Sequence, residues 1–267
     1  MPELPEVETV RRTLKNHILN LEISNVVVYY DPIMPEGKAI SLTNQVIKDV
    51  KRVGKFLLFL LTDYVIVAHM RMEGRFFLKK DYEEKTKHEH VKITFNNGLS
   101  LRYVDTRKFG RLLIKTYDDY MTTKPLSLVA AEPHLINQKD FYNLLQRRSS
   151  PIKVSLLDQH LIAGLGNIYV DETLFLSKVL PTRKSNDVSL AEVKLLLSSA
   201  DQVLKKATEL GGTTIYSYES SEGVHGRFQN ELLVHTKEGE PCPVCSAKIE
   251  KIRVGGRGTY VCFECQK

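Results

Sequence analysis

Apolar residues at Leu4, Val7, Leu14 and Ile18 keep the spacing of one helix face, so the chain opens on a predicted amphipathic helix. From there to about Thr116 the period shortens. Short apolar runs between turn signals predict strands over Glu22 to Tyr30, Val46 to Val53, Phe56 to Leu61, Val65 to Met70, Arg75 to Lys79, Val91 to Phe95, Leu99 to Val104 and Arg111 to Lys115. Asn97-Gly98 is a two-residue hairpin signal between two of them. So many strands in so short a stretch predict a sandwich or flattened barrel. Tyr117 to Pro133, with Asp118-Asp119, Thr122-Thr123 and two prolines, reads as a linker. Beyond it the period is helical. Leu190, Val193, Leu196, Leu197, Ala200, Val203, Leu204 and Ala207 share one face of a helix from Ser189 to Leu210, which Ser189 and Glu192 open as a capping box and Gly211-Gly212 ends. Leu157 to Leu176 reads as helix, turn, helix, with Gly164-Leu165-Gly166-Asn167 at the turn. The chain is therefore expected to be α+β, with a β half followed by a helical half.

A length of 267 residues accommodates two domains with separate cores. Lys and Arg outnumber Asp and Glu by 38 to 32, a net charge of +6 that favours a polyanionic partner without requiring one. The N-terminus lacks the basic and apolar regions of a signal peptide. The most apolar segment, Phe56 to Met70, is broken by Thr62-Asp63 and reads as two strands, not a membrane span. A cytoplasmic protein is expected, in which four cysteines read as metal ligands instead of disulfides. Cys242-Pro243-Val244-Cys245 and Cys262-Phe263-Glu264-Cys265 are two Cys-x2-Cys knuckles separated by 16 residues. That spacing lets four thiolates close on one zinc ion and leaves no open position for water, as in a structural zinc ribbon. Gly255-Gly256-Arg257-Gly258 is the expected hairpin tip between the knuckles, where Arg257 reads either as a solvated turn residue or as a rigid phosphate contact.

The first residues, Met1-Pro2-Glu3-Leu4-Pro5-Glu6, change the picture further. Removal of Met1 would leave Pro2 as a secondary amine with an ordinary α-amino pKa of about 7.7 to 8.0. Its adduct with an anomeric carbon is necessarily an iminium cation, an electron sink that acidifies the neighbouring sugar proton. Glu3 then stands beside a nucleophile as a candidate acid. The same residues equally suit an ordinary helix start, with proline in the first turn and carboxylates at the positive end of the helix.

Taken in order, the segments Pro2-Glu3-Leu4-Pro5-Glu6-Val7-Glu8-Thr9-Val10-Arg11-Arg12, Gly54-Lys55-Phe56-Leu57, His69-Met70-Arg71-Met72-Glu73-Gly74, Asp105-Thr106-Arg107-Lys108-Phe109-Gly110, Leu156-Leu157-Asp158-Gln159, Gly164-Leu165-Gly166-Asn167-Ile168-Tyr169, Gly211-Gly212-Thr213-Thr214 and the four-cysteine hairpin give the chain a full-length resemblance. It resembles the formamidopyrimidine-DNA glycosylases, bifunctional enzymes of base-excision repair. The resemblance implies a β-sandwich domain with a catalytic N-terminal helix over 1–116, a linker over 117–133, a helix–two-turn–helix domain over 134–235 and a zinc ribbon over 236–267. It implies a monomer acting on duplex DNA that carries oxidised purines, with one structural zinc ion and with the duplex in the cleft between the halves.

By the same resemblance Pro2 is the nucleophile, Glu3 the acid, Glu6 a positioning carboxylate and Lys55 the grip on a phosphate at the lesion. Met72, Arg107 and Phe109 would fill the gap left by an extruded nucleotide. His88, Lys153, Asn167 and Arg257 would be further DNA contacts. Taken alone, Lys55 reads as a strand-edge lysine, Met72 and Phe109 as core residues, Asn167 as a helix cap and His88 as a loop histidine. Residues Thr213 to Arg227 resemble a loop that closes over the extruded base, and suit a mobile surface loop equally well.

Two departures stand out. His235-Thr236-Lys237 replaces the family's usual Tyr-Gly-Arg, putting phosphate contact there in doubt. The capping loop reads Ser217 and Val224-His225-Gly226-Arg227 where acidic and Pro-Gly residues are usual, which leaves substrate preference open. An endonuclease VIII-like enzyme for oxidised pyrimidines is the nearest rival, disfavoured by Leu4 and Gly211-Gly212-Thr213-Thr214. A non-catalytic DNA-binding protein, or a zinc-ribbon interaction module on an unrelated enzyme, are more distant ones.

Overall fold

A computed structural model of the chain describes residues 1–213 and 226–267. The chain divides into two compact units, one of residues 1–127 with 211–226 and one of residues 128–210 with 227–267.

The first unit opens on helix α1 (Leu4–Ile18), whose apolar stripe of Leu4, Val7, Val10, Leu14 and Ile18 is buried as the spacing predicts. Eight strands follow: β1 (Ile23–Val28), β2 (Asp49–Val53), β3 (Phe56–Leu60), β4 (Tyr64–His69), β5 (Arg75–Lys80), β6 (Glu89–Phe95), β7 (Leu99–Val104) and β8 (Arg111–Thr116). They form two antiparallel four-stranded sheets in the orders β1-β6-β7-β5 and β2-β3-β4-β8. Side chains of α1 and of both sheets share one apolar core that includes Val7, Val10, Phe59, Phe76 and Tyr103. Strands β3 and β4 are buried at consecutive positions, Leu57 to Leu60 and Val65 to Ala68. Their unbroken apolar runs therefore report cover on both faces, part of it from α1, which packs against β2 and β3.

The second unit carries α2 (Gln138–Gln146), α3 (Ile152–Leu157), α4 (Asn167–Leu176) and α5 (Leu190–Glu209), then the hairpin β9 (Glu250–Val254) and β10 (Arg257–Val261). Helix α5 starts at the expected capping box, with the Ser189 hydroxyl accepting from Glu192 N–H and the Glu192 carboxylate from Ser189 N–H. The expected helix from Leu157 onward is displaced. The helix before the glycine turn is α3, which ends at Leu157, and residues 158–166 are irregular although Leu161, Ile162, Ala163 and Leu165 are buried. The Gln159 side chain supports that segment by bonding the Leu157 and Leu165 carbonyls and Gly164 N–H. Among the described residues no helix is long and apolar enough to cross a membrane.

Candidate functional site

The candidate side chains fall into three groups and a metal centre. The first lies at the start of α1. Pro2 is half-buried, while Glu3 and Glu6 are buried, at 3% and 4% exposure. Glu3 is the N-cap, and Glu6 accepts its N–H at 2.9 Å in a capping box. The helix-start reading therefore holds, and the same capping keeps both carboxylates near Pro2. The other Glu6 oxygen accepts from Thr213 N–H at 2.9 Å and from the Thr213 hydroxyl at 3.2 Å. Gly212 lies so close to this carboxylate, at φ +80°, that a Cβ would overlap it, which explains glycine at that position. The remainder of the expected capping loop, including Ser217, Val224 and His225, lies outside the described residues.

Lys55 follows Gly54, at φ +53°, in the β2–β3 turn and is buried. The turn is tied to α1: Arg52 donates to Glu8 at 3.1 Å and to the Gly54 carbonyl at 2.9 Å. Burial alone would raise the Glu8 carboxyl, but hydrogen bonds and charge from Arg11, Arg12 and Arg52 hold it down to about 2. Near Lys55 stands a residue that pattern reasoning did not single out, His69 at the end of β4. Burial foremost, with the charges of Arg71 and Lys55, lowers its pKa to about 3, so the ring is neutral. Its Nδ1 accepts from Arg71 N–H at 2.9 Å, which leaves the proton on Nε2. The signal available in sequence was its place at the head of a Met72 loop that already looked functional.

The second group comprises Met72, Arg107 and Phe109. Residues 70–74 join β4 to β5, and residues 105–110 join β7 to β8. Met72 is half-buried, Arg107 is exposed, and Phe109 is an exposed large apolar side chain at 49%. The core reading of Phe109 is excluded. Its ring lies 4.8 Å from the Arg107 guanidinium, a cation–π pair at the loop tip. His88 is half-buried at φ +64°, and its carbonyl accepts from Asp105 N–H at the root of the second loop.

The third group lies in the second unit. Arg257 is exposed and begins β10 directly after the Gly255-Gly256 turn, both glycines having positive φ as a two-residue hairpin requires. Asn167 opens α4 and donates its side-chain amide to the Gly258 carbonyl at 3.0 Å, and its buried Oδ1 has no hydrogen-bond partner among the described residues. Lys153, expected as a DNA contact, sits in α3. It is fully buried, donating to Asp171 at 2.6 Å and to the Gly258 carbonyl at 3.1 Å, so its ammonium faces the hairpin rather than solvent. Asp171 also pairs with His235 Nδ1 at 2.8 Å, and Glu172 accepts three successive N–H groups, from Leu233, Val234 and His235. Neither carboxylate was legible as a site residue, because α4 buries polar and apolar residues alike from Tyr169 to Phe175 and so shows no polar face to read.

The metal centre is formed by Cys242, Cys245, Cys262 and Cys265, whose sulfurs all lie within 4.8 Å of one another. A tetrahedral zinc with Zn–S bonds of about 2.3 Å sets sulfurs about 3.8 Å apart. Cys242 to Cys265 is 3.8 Å and Cys245 to Cys262 is 3.5 Å, so the residues fit the ion. One structural zinc completes the ribbon.

Comparison with known proteins agrees over the full length. Residues 1–112 match the formamidopyrimidine-DNA glycosylase N-terminal domain, residues 129–219 the H2TH domain of the same enzymes, and residues 239–267 the zinc finger found in FPG and IleRS. The formamidopyrimidine-DNA glycosylase of Mycoplasma mobile is 44% identical over 272 residues, covering 100% of this chain and 99% of the relative. The Lactococcus lactis FPG mutant G226P, solved with Fapy-dG-containing DNA, superposes with a TM-score of 0.93 at 38% identity over 100% of both chains. MutM in complex with DNA containing carbocyclic 8-oxo-G superposes at 0.91, with 38% identity and the same coverage. Fold and site thus define a class in which a β-sandwich with a proline-led helix is combined with an H2TH domain and a zinc finger. The chain belongs to the formamidopyrimidine-DNA glycosylase family.

Proposed function

We propose that the chain removes oxidised purines, formamidopyrimidines and 8-oxoguanine, from duplex DNA and then cleaves the strand at the abasic site, with Pro2 as the nucleophile. The observation that carries this reading is the amino terminus itself. Two buried carboxylates, mutually bonded through the cap of α1, stand one and four residues from a proline whose nitrogen is a secondary amine once Met1 is gone. Attack of that nitrogen on the sugar C1′ forms an N–C bond as the bond to the base breaks. Glu3 supplies the proton for the ring oxygen or the departing base. The C1′–O4′ bond then breaks, its electron pair leaving with the protonated ring oxygen, and the iminium so formed withdraws electrons from C2′; loss of a C2′ proton expels the 3′ phosphate and a second elimination expels the 5′ phosphate. Glu6 holds Glu3 and Thr213 in place and takes no proton in this scheme.

Lys55 and His69 supply a cation and a neutral N–H donor suited to the phosphate flanking the lesion. Arg257 and Asn167 supply phosphate contacts from the second unit. Extruding the nucleotide costs a few kcal/mol, which Met72, Arg107 and Phe109 offset by occupying the gap and pairing with the orphaned base.

Borohydride trapping tests the reading. The processed protein should crosslink to 8-oxoguanine DNA, with N-terminal mass analysis showing Pro2 as the first residue, and Pro2→Gly should crosslink far less. An equal crosslink from Pro2→Gly, or full activity with Met1 retained, would remove Pro2 from the mechanism.

A further inference from the structure

Both gap-filling loops close on one buried oxygen. Tyr103 lies in β7 with 1% exposure, its ring packed 5.1 Å from that of Phe76 on the neighbouring strand β5. Its hydroxyl sits between Gly74, the last residue of the Met72 loop, and Gly110, the last residue of the Arg107–Phe109 loop. A Cβ on either glycine would overlap that hydroxyl, so the separation of the two loops is set by the thickness of one oxygen atom. Asp105, fully buried, extends the contact. Its Oδ2 accepts from Gly110 N–H at 2.7 Å and lies 3.5 Å from the Tyr103 hydroxyl, and its Oδ1 accepts from Arg107 N–H at 3.0 Å. The Met72 loop is closed at its other end by Gly74 N–H donating to the Met70 carbonyl at 3.0 Å. Burial and the Asp105 carboxylate raise the Tyr103 pKa, which keeps the hydroxyl protonated as a donor.

We infer that Tyr103 is a positioning residue for base extrusion, a strut that registers the Met72 loop against the Arg107–Phe109 loop so that their side chains enter the duplex as one unit. The inference rests on the reading of those loops given above and extends it to residues that touch no DNA. A wedge pushed between stacked bases is loaded from both sides. Two loops held only by their own backbones would yield separately, and a displacement of about 1 Å at a positioning element can cost up to about a hundredfold in rate. Glycine at 74 and 110 follows from the same requirement, since any larger residue would drive the loops apart or the tyrosine out.

Tyr103→Phe keeps the ring and removes only the oxygen. In the zinc-loaded full chain it should slow excision of 8-oxoguanine from duplex DNA at least about tenfold, while nicking at a preformed abasic site, where stacking no longer resists extrusion, changes less than about twofold. Gly74→Ala, which adds an atom where Phe removes one, should give the same substrate-selective loss. In a Phe109→Ala background, Tyr103→Phe should add little, because the wedge it registers is already gone. Equal slowing on both substrates, additive losses in the double variant, or a wild-type excision rate in Tyr103→Phe would each overturn the strut. Wild-type excision by Met72→Ala and Phe109→Ala alone would instead remove the reading of the loops, and the strut with it.

Discussion

Glu3 and Glu6 differ by three positions and by what their oxygens face. Glu6 is held on both sides, by Glu3 N–H and by Thr213, and so is fixed as an acceptor. On the proposed reading Glu3, the N-cap whose side chain accepts the Glu6 N–H, is the acid. Glu3→Gln, which keeps the size and an amide donor, should therefore slow base removal by about 10²- to 10⁴-fold in single-turnover assays while leaving DNA affinity within a few-fold. A parallel loss of affinity would instead mark Glu3 as a binding group. At this scale the sequence was informative where chemistry is rare, at a proline-led terminus and at paired cysteines. It was silent on the pairing of Lys153 with Asp171, because nothing in the order of residues shows that a lysine of α3 meets an aspartate of α4 eighteen positions later. His69 was missed for a related reason, since its neutral state is created by burial, Arg71 and Lys55 and not by any motif.

Elements in this chain are joined by a few charged contacts. Glu8 connects α1 to β2 through Arg52, and its folded pKa near 2 lies below the ordinary 4.5. A depressed carboxylate contributes stability above pH 4.5 that disappears as pH falls through the interval from 4.5 to about 2. The melting-temperature difference between wild type and Glu8→Gln, present at pH 6, should thus close across that interval. A difference that persists at pH 2 would show that Glu8 acts through packing.

Lys153 and Asp171 connect α3 and α4 to the ribbon hairpin. Removing one partner of a buried pair costs about 3 to 5 kcal/mol, so Lys153→Met should lower denaturant stability by that order, and Lys153→Met with Asp171→Asn should recover most of it. Helix α5 and the strands were readable because each buries one periodic face or an unbroken apolar run. The displaced helix before Gly164 was not, because residues 161–166 are buried without being regular, with the Gln159 side chain bonding the Leu165 carbonyl and Gly164 N–H in place of helical hydrogen bonds. Apolar content there predicts burial and says nothing about winding.

For the whole molecule, DNA binding should follow the net charge of +6 and the placement of Lys55, His69, Asn167 and Arg257. Arg257→Ala should weaken binding to lesion and undamaged duplexes alike and reduce the slope of log affinity against log salt by about 1, measured by fluorescence anisotropy across a salt series. An unchanged slope would make Arg257 a turn residue only.

The sheet orders carry one more consequence. Strands β1, β5, β2 and β8 lie on the outer margins of the two sheets; β1 bears no basic residue, and the other three bear Lys51 and Arg52, Arg75, Lys79 and Lys80, and Arg111 and Lys115. Unpaired margins of this kind invite a second copy to add its own strand, and rows of like charge repel that copy. Replacing Lys51, Lys80 and Lys115 by threonine would on this ground be expected to raise light scattering on storage above that of the wild type.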